Sequence, residues 1–412
     1  MKYDTIIIGG GASGLCTAIN AKKENNKVLI IEHNDRLGRK LLATGNGKGN
    51  LTNLYCRTNL FERNPEGIYP YFTSGDREFV EDVISWFDAQ DAVEFFEDFG
   101  ILTENKNGYI YPRSEQAASV VEILSRVCEE KGVDILLGYQ PLKVEPFSGS
   151  GCRFMIDGEY ICRNLVLAAG GMAAPKTGSD GSGYEIAKAF GHSIEAPRPA
   201  LCGINCSDTF FKDLAGVRCD SRVTLFDENK EQVISATGNL QLNSYGISGI
   251  PAFQISSETG RLLSQGKKIQ IKIDLLPEVS HDELVHFIET RETYGLTGLL
   301  NKKLAGVVLR EAEAAAKRHK DFSFEQICAA VIKRFKVHPQ GLNSFEESQI
   351  TAGGIATGEV NPETMESRIC EGLYFTGEII DVNGICGGYN LQWAWASAHC
   401  AAAAITGDWV GL

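Results

Sequence analysis

The sequence predicts an α/β fold: a parallel sheet with crossover helices, split between the two ends of the chain, with a β-rich domain and a small helical subdomain inserted between them. Three stretches carry that expectation. The first is the opening run Tyr3-Asp4-Thr5-Ile6-Ile7-Ile8, which enters the glycine-rich turn Gly9-Gly10-Gly11-Ala12-Ser13-Gly14. The second is the apolar strand Val28-Leu29-Ile30-Ile31, which ends in Glu32. The third lies near the other terminus, where Leu373-Tyr374-Phe375 runs into Gly377-Glu378 and then into the glycine-led helix beginning at Gly387-Gly388-Tyr389. Strand, glycine turn, helix, strand and acid within 32 residues is the arrangement that gives a Gly-x-Gly-x-x-Gly pattern its meaning.

Each glycine of the first turn has a separate task. Gly9 permits the tight turn, Gly11 lets the backbone approach a pyrophosphate, and Gly14 lets the helix pack on the strand. The amides that open the helix then face phosphate, with Ala12 and Ser13 in its first turn. Glu32 stands where a carboxylate accepts from a ribose 2′-hydroxyl, with His33 beside it. The expected element is a Rossmann-like unit that binds a dinucleotide.

Composition narrows the partners. The chain has 412 residues, a formal net charge of −13 and no block of Lys or Arg. This argues against DNA, RNA or an anionic membrane as the main partner and favours a small-molecule substrate. No apolar run approaches a membrane span, and Asp4 interrupts any signal-peptide core, so a cytoplasmic setting is expected. The 12 cysteines then read as thiols, and their spacing gives no metal site.

After Glu32 the chain is basic and glycine-rich, through Arg39-Lys40 and Thr44-Gly45-Asn46-Gly47-Lys48-Gly49-Asn50. Glycine recurs too often for a regular element, and the successive amides suit an anion. Helical periodicity follows over 77–100 and from Glu115 to Lys131. Gly132–Leu137 reads as a core strand, and 153–167 as a hairpin that ends in Ala168-Ala169-Gly170-Gly171, where small residues suggest a second close approach to a ligand. From about 200 to 275 the pattern alternates as in strands, and 281–336 reads as three helical segments. The expected boundaries are 1–195 plus 346–412 for the cofactor domain, 196–280 for the β-rich domain and 281–345 for the helical subdomain.

In the C-terminal stretch a carboxylate at Glu378 or Asp381 can accept from a ribityl chain. The helix N-terminus after Gly388 can stabilise negative charge on a reduced flavin ring. One long cofactor reaching both ends of a split domain points to FAD.

These residues resemble a bacterial family of NAD(P)/FAD-dependent oxidoreductases that includes aminoacetone oxidase-like and 3-dehydro-bile-acid reductase-like flavoproteins. Its most specific pieces here are Gly38-Arg39-Lys40-Leu41-Leu42-Ala43-Thr44-Gly45, the stretch from Ala168 to Tyr184, and Thr364-Met365-Glu366-Ser367-Arg368 through Gly388-Tyr389-Asn390-Leu391-Gln392. The resemblance implies FAD contacts at Gly9, Gly11, Gly14, Glu32, Thr44, Gly45, Gly47, Asn50, Gly170, Gly171, Glu378, Asp381, Gly388, Tyr389, Asn390 and Leu391. The neighbouring Ala12, Ser13, His33, Lys40, Ala169 and Gly377 complete the expected set. The chain departs from the family at Lys48-Gly49, where Arg-Cys is usual, at Pro141, which offers no amide, and at Ala398, where glycine is usual.

The function expected is an FAD-dependent oxidoreductase that moves a hydride between flavin and a small organic substrate. NAD(P)H or oxygen is the other redox partner. With a single dinucleotide fingerprint, NAD(P)H would bind transiently as a co-substrate. An amine (aminoacetone-like) oxidase, a non-catalytic FAD-binding protein and an NAD-binding protein without flavin stand as alternatives. Catalytic side chains, substrate and oligomeric state are left open. Cys386 reads as a core residue or a reactive thiol, and Tyr389 as a substrate or ring contact. His192, His338 and His399 have no acid at a telling spacing and read as structural. Asn243–Gly249 is a candidate lining of the substrate side.

Overall fold

The computed structural model describes residues 1–56, 72, 76–291 and 295–408. It divides into two compact units: the described parts of Met1–Glu62, Pro70–Arg198 and Ile350–Leu412 form one, and those of Pro199–Gln349 belong to the other.

The first unit is built on a seven-stranded sheet. β1 (Lys2–Ile8) leads through α1 (Ala12–Ala21) to β2 (Val28–Glu32), and β3 (Asp134–Leu137) pairs parallel on the far side of β2. On its other flank β1 pairs parallel with β4 (Tyr160–Leu167). The final part of β4, Leu165–Leu167, pairs parallel with β5 (Leu373–Phe375), and its first part pairs antiparallel with Cys152–Ile156. A strand from near the C-terminus thus joins the sheet started by the first residues. α2 (Tyr389–Thr406) then packs against α1. Ile6, Ile7, Ile30, Leu15, Ala18 and Ile19 are all fully or nearly fully buried, as sheet strands covered on both faces require. β3 is the exception to the sequence expectation. It is an edge strand, and none of its residues is fully buried.

The helical stretch over 77–100 is two helices, Arg77–Trp86 and Ala89–Asp98. The break falls at Asp88, whose carboxylate accepts from the amides of Gln90 (2.6 Å) and Asp91 (3.2 Å). The Asp91 carboxylate returns a bond to the Asp88 amide (2.7 Å), a reciprocal cap that starts a new helix.

The second unit is a seven-stranded antiparallel sheet in the order Phe335–Val337, Gln270–Asp274, Val217–Phe226, Gln232–Asn243, Gly246–Gly249, Ile204–Cys206, Pro339–Leu342. Two of these strands fall in the stretch expected to be helical, and both pair with strands of the β-rich stretch. Helix Ile250–Ser264 interrupts the stretch expected to be strands. Its buried face carries Gln254, Ser256, Ser257, Thr259 and Gly260. That polarity hides the helical period from a reading based on apolar spacing. Gly260 is needed there, since a Cβ would lie 2.6 Å from Leu342 Cδ1. The helical segments after 280 are His281–Arg291, Gly295–Leu299, Lys302–Ala316 and Phe324–Lys333.

Two histidines have acid partners that sequence spacing did not reveal. His192 is buried, with Nδ1 3.0 Å from Glu359 Oε2 and Nε2 2.7 Å from Ser367 Oγ. His338 Nδ1 lies 2.7 Å from Asp208 Oδ1. Both partners come from distant parts of the chain. His399 stacks on Phe87 at 4.6 Å, and its buried Nδ1 has no hydrogen-bond partner among the described residues.

Burial pushes the His192 imidazole below its usual pKa, although Glu359 pulls the other way. The unfolded chain therefore takes up a proton that the folded one refuses. This contribution to stability is complete above the ordinary histidine pKa of about 6.5 and declines as pH falls below it. Denaturant midpoints measured at about pH 8 and about pH 5.5 should show a loss at the lower pH. His192→Asn should show a shallower loss, with the remainder from His399, whose pKa burial also lowers. Equal slopes in the two proteins would contradict this assignment.

Candidate cofactor site

The site starts at the turn between β1 and α1. Gly9 has φ +109°, and a Cβ there would meet the Ala168 carbonyl oxygen at 2.4 Å. A Cβ on Gly14 would fall 1.9 Å from the Gly9 carbonyl oxygen, so helix and strand meet backbone to backbone. Gly11 differs, because a Cβ there would meet nothing within 4 Å. Helix α1 has no side-chain cap and no acid in its first turn. The amides of Ala12, Ser13 and Gly14 precede the first i to i−4 bond, made by Leu15 to Gly11 (3.0 Å). An open side at Gly11 next to an uncapped helix end is the cradle that a pyrophosphate needs.

Glu32 is buried at the end of β2. Its Oε2 accepts from the Gly10 amide (2.7 Å), and its Oε1 accepts from the amide (2.8 Å) and side chain (2.7 Å) of Asn34. These bonds fix the carboxylate beside the glycine turn. His33 packs at Gly178, where a Cβ would lie 3.0 Å from its ring.

The basic loop folds as tight 3-10 turns over Leu41–Gly47, broken by extended Thr44 and left-handed Gly45 and Asn46. Thr44 Oγ1 donates to the Leu41 carbonyl (2.7 Å), and Gly49 donates to the Thr44 carbonyl (3.0 Å). Gly47, with φ +85°, has open space at its Cβ position. Asn50, oriented to satisfy its amide, donates to the Thr52 and Ile110 carbonyls (3.1 and 3.2 Å) and accepts from the Gly388 amide (3.2 Å). That contact joins the loop to the head of α2. So does the close approach at Gly388, where a Cβ would meet the Thr52 backbone at 2.7 Å.

The C-terminal residues converge on the same place. Gly377 donates to Ser397 Oγ (2.9 Å), its carbonyl accepts from the Trp393 indole (3.0 Å), and a Cβ there would meet Ser13 Oγ at 2.6 Å. Glu378 accepts from Lys40 Nζ (2.6 Å) and from the Thr351 amide (2.8 Å). Asp381 accepts from the Gly353 amide (3.0 Å). Helix α2 begins after left-handed Gly388, again with no side-chain cap and no acid in its first turn. Asn390 holds the preceding loop, accepting from the Gly384 amide (2.8 Å) and donating to its carbonyl (2.9 Å). Tyr389 is buried edge-on to Phe72, with ring centroids 6.2 Å apart, and Leu391 is half-buried beside it.

Ala169, Gly170 and Gly171 follow β4. Gly171 also makes room for the protein itself, since a Cβ there would meet Thr351 Oγ1 at 2.4 Å. Thr351 Oγ1 accepts from the Met172 and Ala173 amides (2.8 and 2.9 Å), which pins this backbone in place. Thr351 and Tyr184 border the site and escaped the sequence analysis. Among the described residues the buried Tyr184 hydroxyl has no hydrogen-bond partner. Burial pushes its pKa well up, with Glu378 and Asp381 adding to the effect. An unpaired donor beside Gly171, with Glu378 and Asp381 near, fits a ligand rich in acceptor oxygens, as FAD is.

Burial pushes the Cys386 thiol up to about 12, so it stays protonated near neutral pH. Asn243–Gly249 belongs to the second unit, where Asn243 Nδ2 donates to Ser248 Oγ (2.7 Å). Among the described residues no group of three or more His, Cys, Asp or Glu side chains is placed to hold a metal ion, and no helix is long and apolar enough to cross a membrane.

The two glycines should separate in mutagenesis. Gly14→Ala should lower unfolding free energy by about 2 kcal/mol, because both colliding groups are backbone. Gly11→Ala should leave the unfolding free energy of the apoprotein unchanged. Equal effects in denaturant unfolding would contradict the packing described.

Known proteins resemble the chain over nearly its whole length. The model of the HI0933-like protein Rossmann domain matches residues 3–404. A 3-dehydro-bile acid delta(4,6)-reductase of Clostridium scindens is 38% identical, covering 96% of this chain and 97% of its own. Ribosomal RNA dihydrouridine synthases of Escherichia coli and Haemophilus influenzae are 29% and 30% identical, covering 97% and 98% of this chain and the same shares of their own. The chain belongs to the HI0933-like Rossmann family of FAD-dependent oxidoreductases.

Proposed function

We propose that the protein reduces a carbon–carbon double bond conjugated to a carbonyl in a small organic substrate, with NAD(P)H as the source of electrons. The observation that carries this reading is the 38% identity, end to end, with a protein named for reducing the delta(4,6) bonds of a 3-dehydro bile acid. The dihydrouridine synthases are named for a product that is likewise a saturated neighbour of a carbonyl. FAD supplies hydride transfer when bound. Around it the chain would act by position and charge. The glycine turn at 9–14 and the amides of Ala12 and Ser13 would hold pyrophosphate, and Glu32 with His33 the adenosine ribose. Lys40, Thr44, Gly45, Gly47, Asn50, Ala169, Gly170, Gly171, Gly377, Glu378 and Asp381 would line the path between the two halves. The uncapped N-terminus of α2, at Gly388, Tyr389, Asn390 and Leu391, would favour the anionic reduced flavin. A cytoplasmic setting accords with NAD(P)H as reductant.

A second substrate reading, a uridine in RNA, is favoured by one surface of the second unit. Lys336 lies opposite Lys272, and Lys272 opposite Thr224, across three neighbouring strands. Lys272 Nζ stands 3.9 Å from the Phe226 ring centroid, with Arg334 and Lys230 close enough to lower its pKa after burial has done so. Like charges opposite each other in a sheet cost stability. Among the described residues none of these four cations has an ion-pair partner, although the chain carries a net charge of −13. Such a face suits a polyanion.

Rapid mixing without oxygen separates the readings. NADH or NADPH should bleach the flavin, and a 3-oxo-Δ4 steroid should restore its colour at a rate that rises with steroid concentration. Bleaching by a primary amine and by neither nicotinamide would turn the assignment to an oxidase. Recolouring by a uridine-containing RNA alone would turn it to the second reading. Gly11→Ala should weaken FAD binding about tenfold, roughly 1.4 kcal/mol, and unchanged affinity would remove the pyrophosphate from that turn.

A further inference from the structure

Tyr184 lies in the helix Ser182–Ala189 and is 3% exposed, yet its hydroxyl has no acceptor among the described residues. A buried hydroxyl without a partner costs stability, because it gives up its bond to water and gains none in return. Three nearby groups already accept from other donors. Glu378 takes Lys40 and the Thr351 amide, Asp381 takes the Gly353 amide, and Thr351 Oγ1 takes two amides. The hydroxyl lies beside Gly171, where a Cβ would stand 3.2 Å from it. Gly170 is held left-handed at φ +72°, and its own Cβ position is 3.0 Å from Ser179 Oγ. Gly171 beside the phenol and two carboxylates that already accept from other groups leave it as a donor with no protein acceptor among the described residues.

We propose that Tyr184 is an FAD-contact residue, donating its hydroxyl proton in a hydrogen bond to a ribityl or phosphate oxygen of the cofactor. The inference rests on the placement of FAD at this site and is independent of the substrate assigned above. It makes a distinctive demand on the apoprotein. If the hydroxyl is satisfied only by the cofactor, its removal relieves the empty protein and weakens the loaded one.

The test is Tyr184→Phe, with FAD affinity measured by titration of the apoprotein and thermal midpoints measured with and without FAD. The expected result is a dissociation constant raised about tenfold, near 1.4 kcal/mol, while the apoprotein midpoint is unchanged or higher. The rise that FAD adds to the midpoint should shrink accordingly. An unchanged dissociation constant overturns the proposal. So does a weaker constant accompanied by a lower apoprotein midpoint, which would make the hydroxyl a support of the fold. Failure of the wild-type protein to bind FAD would instead refute the site itself, and a wild-type protein that binds FAD but reduces no enone would leave Tyr184 untouched.

Discussion

The close approach of α1 to the C-terminal segment is the constraint on which the rest of the structure depends. Ser13 donates to the Thr376 carbonyl (3.3 Å) from the first turn of α1, and Gly377 fits beneath it only because it has no Cβ. The Gly377 carbonyl and amide are in turn held by Trp393 and Ser397 of α2. Sequence positions more than 360 apart therefore share one set of backbone bonds. Larger residues at either place would separate two elements whose helix ends both carry open amides.

That contact is supported by a buried layer that links α2 to the glycine-rich loop. The Trp395 indole donates to the Leu51 carbonyl (2.8 Å), and Thr52 donates to Gln392 (2.6 Å), which itself donates to the Phe87 carbonyl (2.7 Å). Trp393, Trp395 and Gln392 are almost completely buried. Buried amides and indoles are expensive unless paired, and here each finds a partner on a different part of the chain. The layer therefore sets the register between the loop at 40–53 and the head of α2. It explains how a loop with so many glycines holds a single shape.

Much of this was legible in the sequence because it is local. The strand, turn and helix at 3–21 are written in adjacent residues, and the glycine roles at Gly9 and Gly14 follow from their spacing. The return of the C-terminus to the sheet was legible because Leu373–Phe375 and the glycine-led helix repeat the opening pattern. What escaped was either non-local or disguised. His192 meets Glu359, and Lys40 meets Glu378, across separations that no spacing rule covers. Helix Ile250–Ser264 buries Ser256, Ser257, Thr259 and Gly260 among Ala252, Ile255 and Leu262, which interrupts the apolar stripe that marks a helix. The packing of Thr351 on Gly171 also escaped, because small residues look alike whether they make room for a cofactor or for a side chain 180 positions away. The break at Asp88 was written in the sequence as Asp-x-x-Asp, a capping pattern obscured by the aromatic periodicity around it.

In the proposed arrangement one FAD bridges two segments far apart in the chain. Amide hydrogen exchange of the apoprotein, with and without FAD, reads this directly. The predicted result is simultaneous slowing in the turn at 9–14 and in the stretch 384–391 on addition of FAD. Protection confined to one of those segments, or absent from both, would contradict the claim.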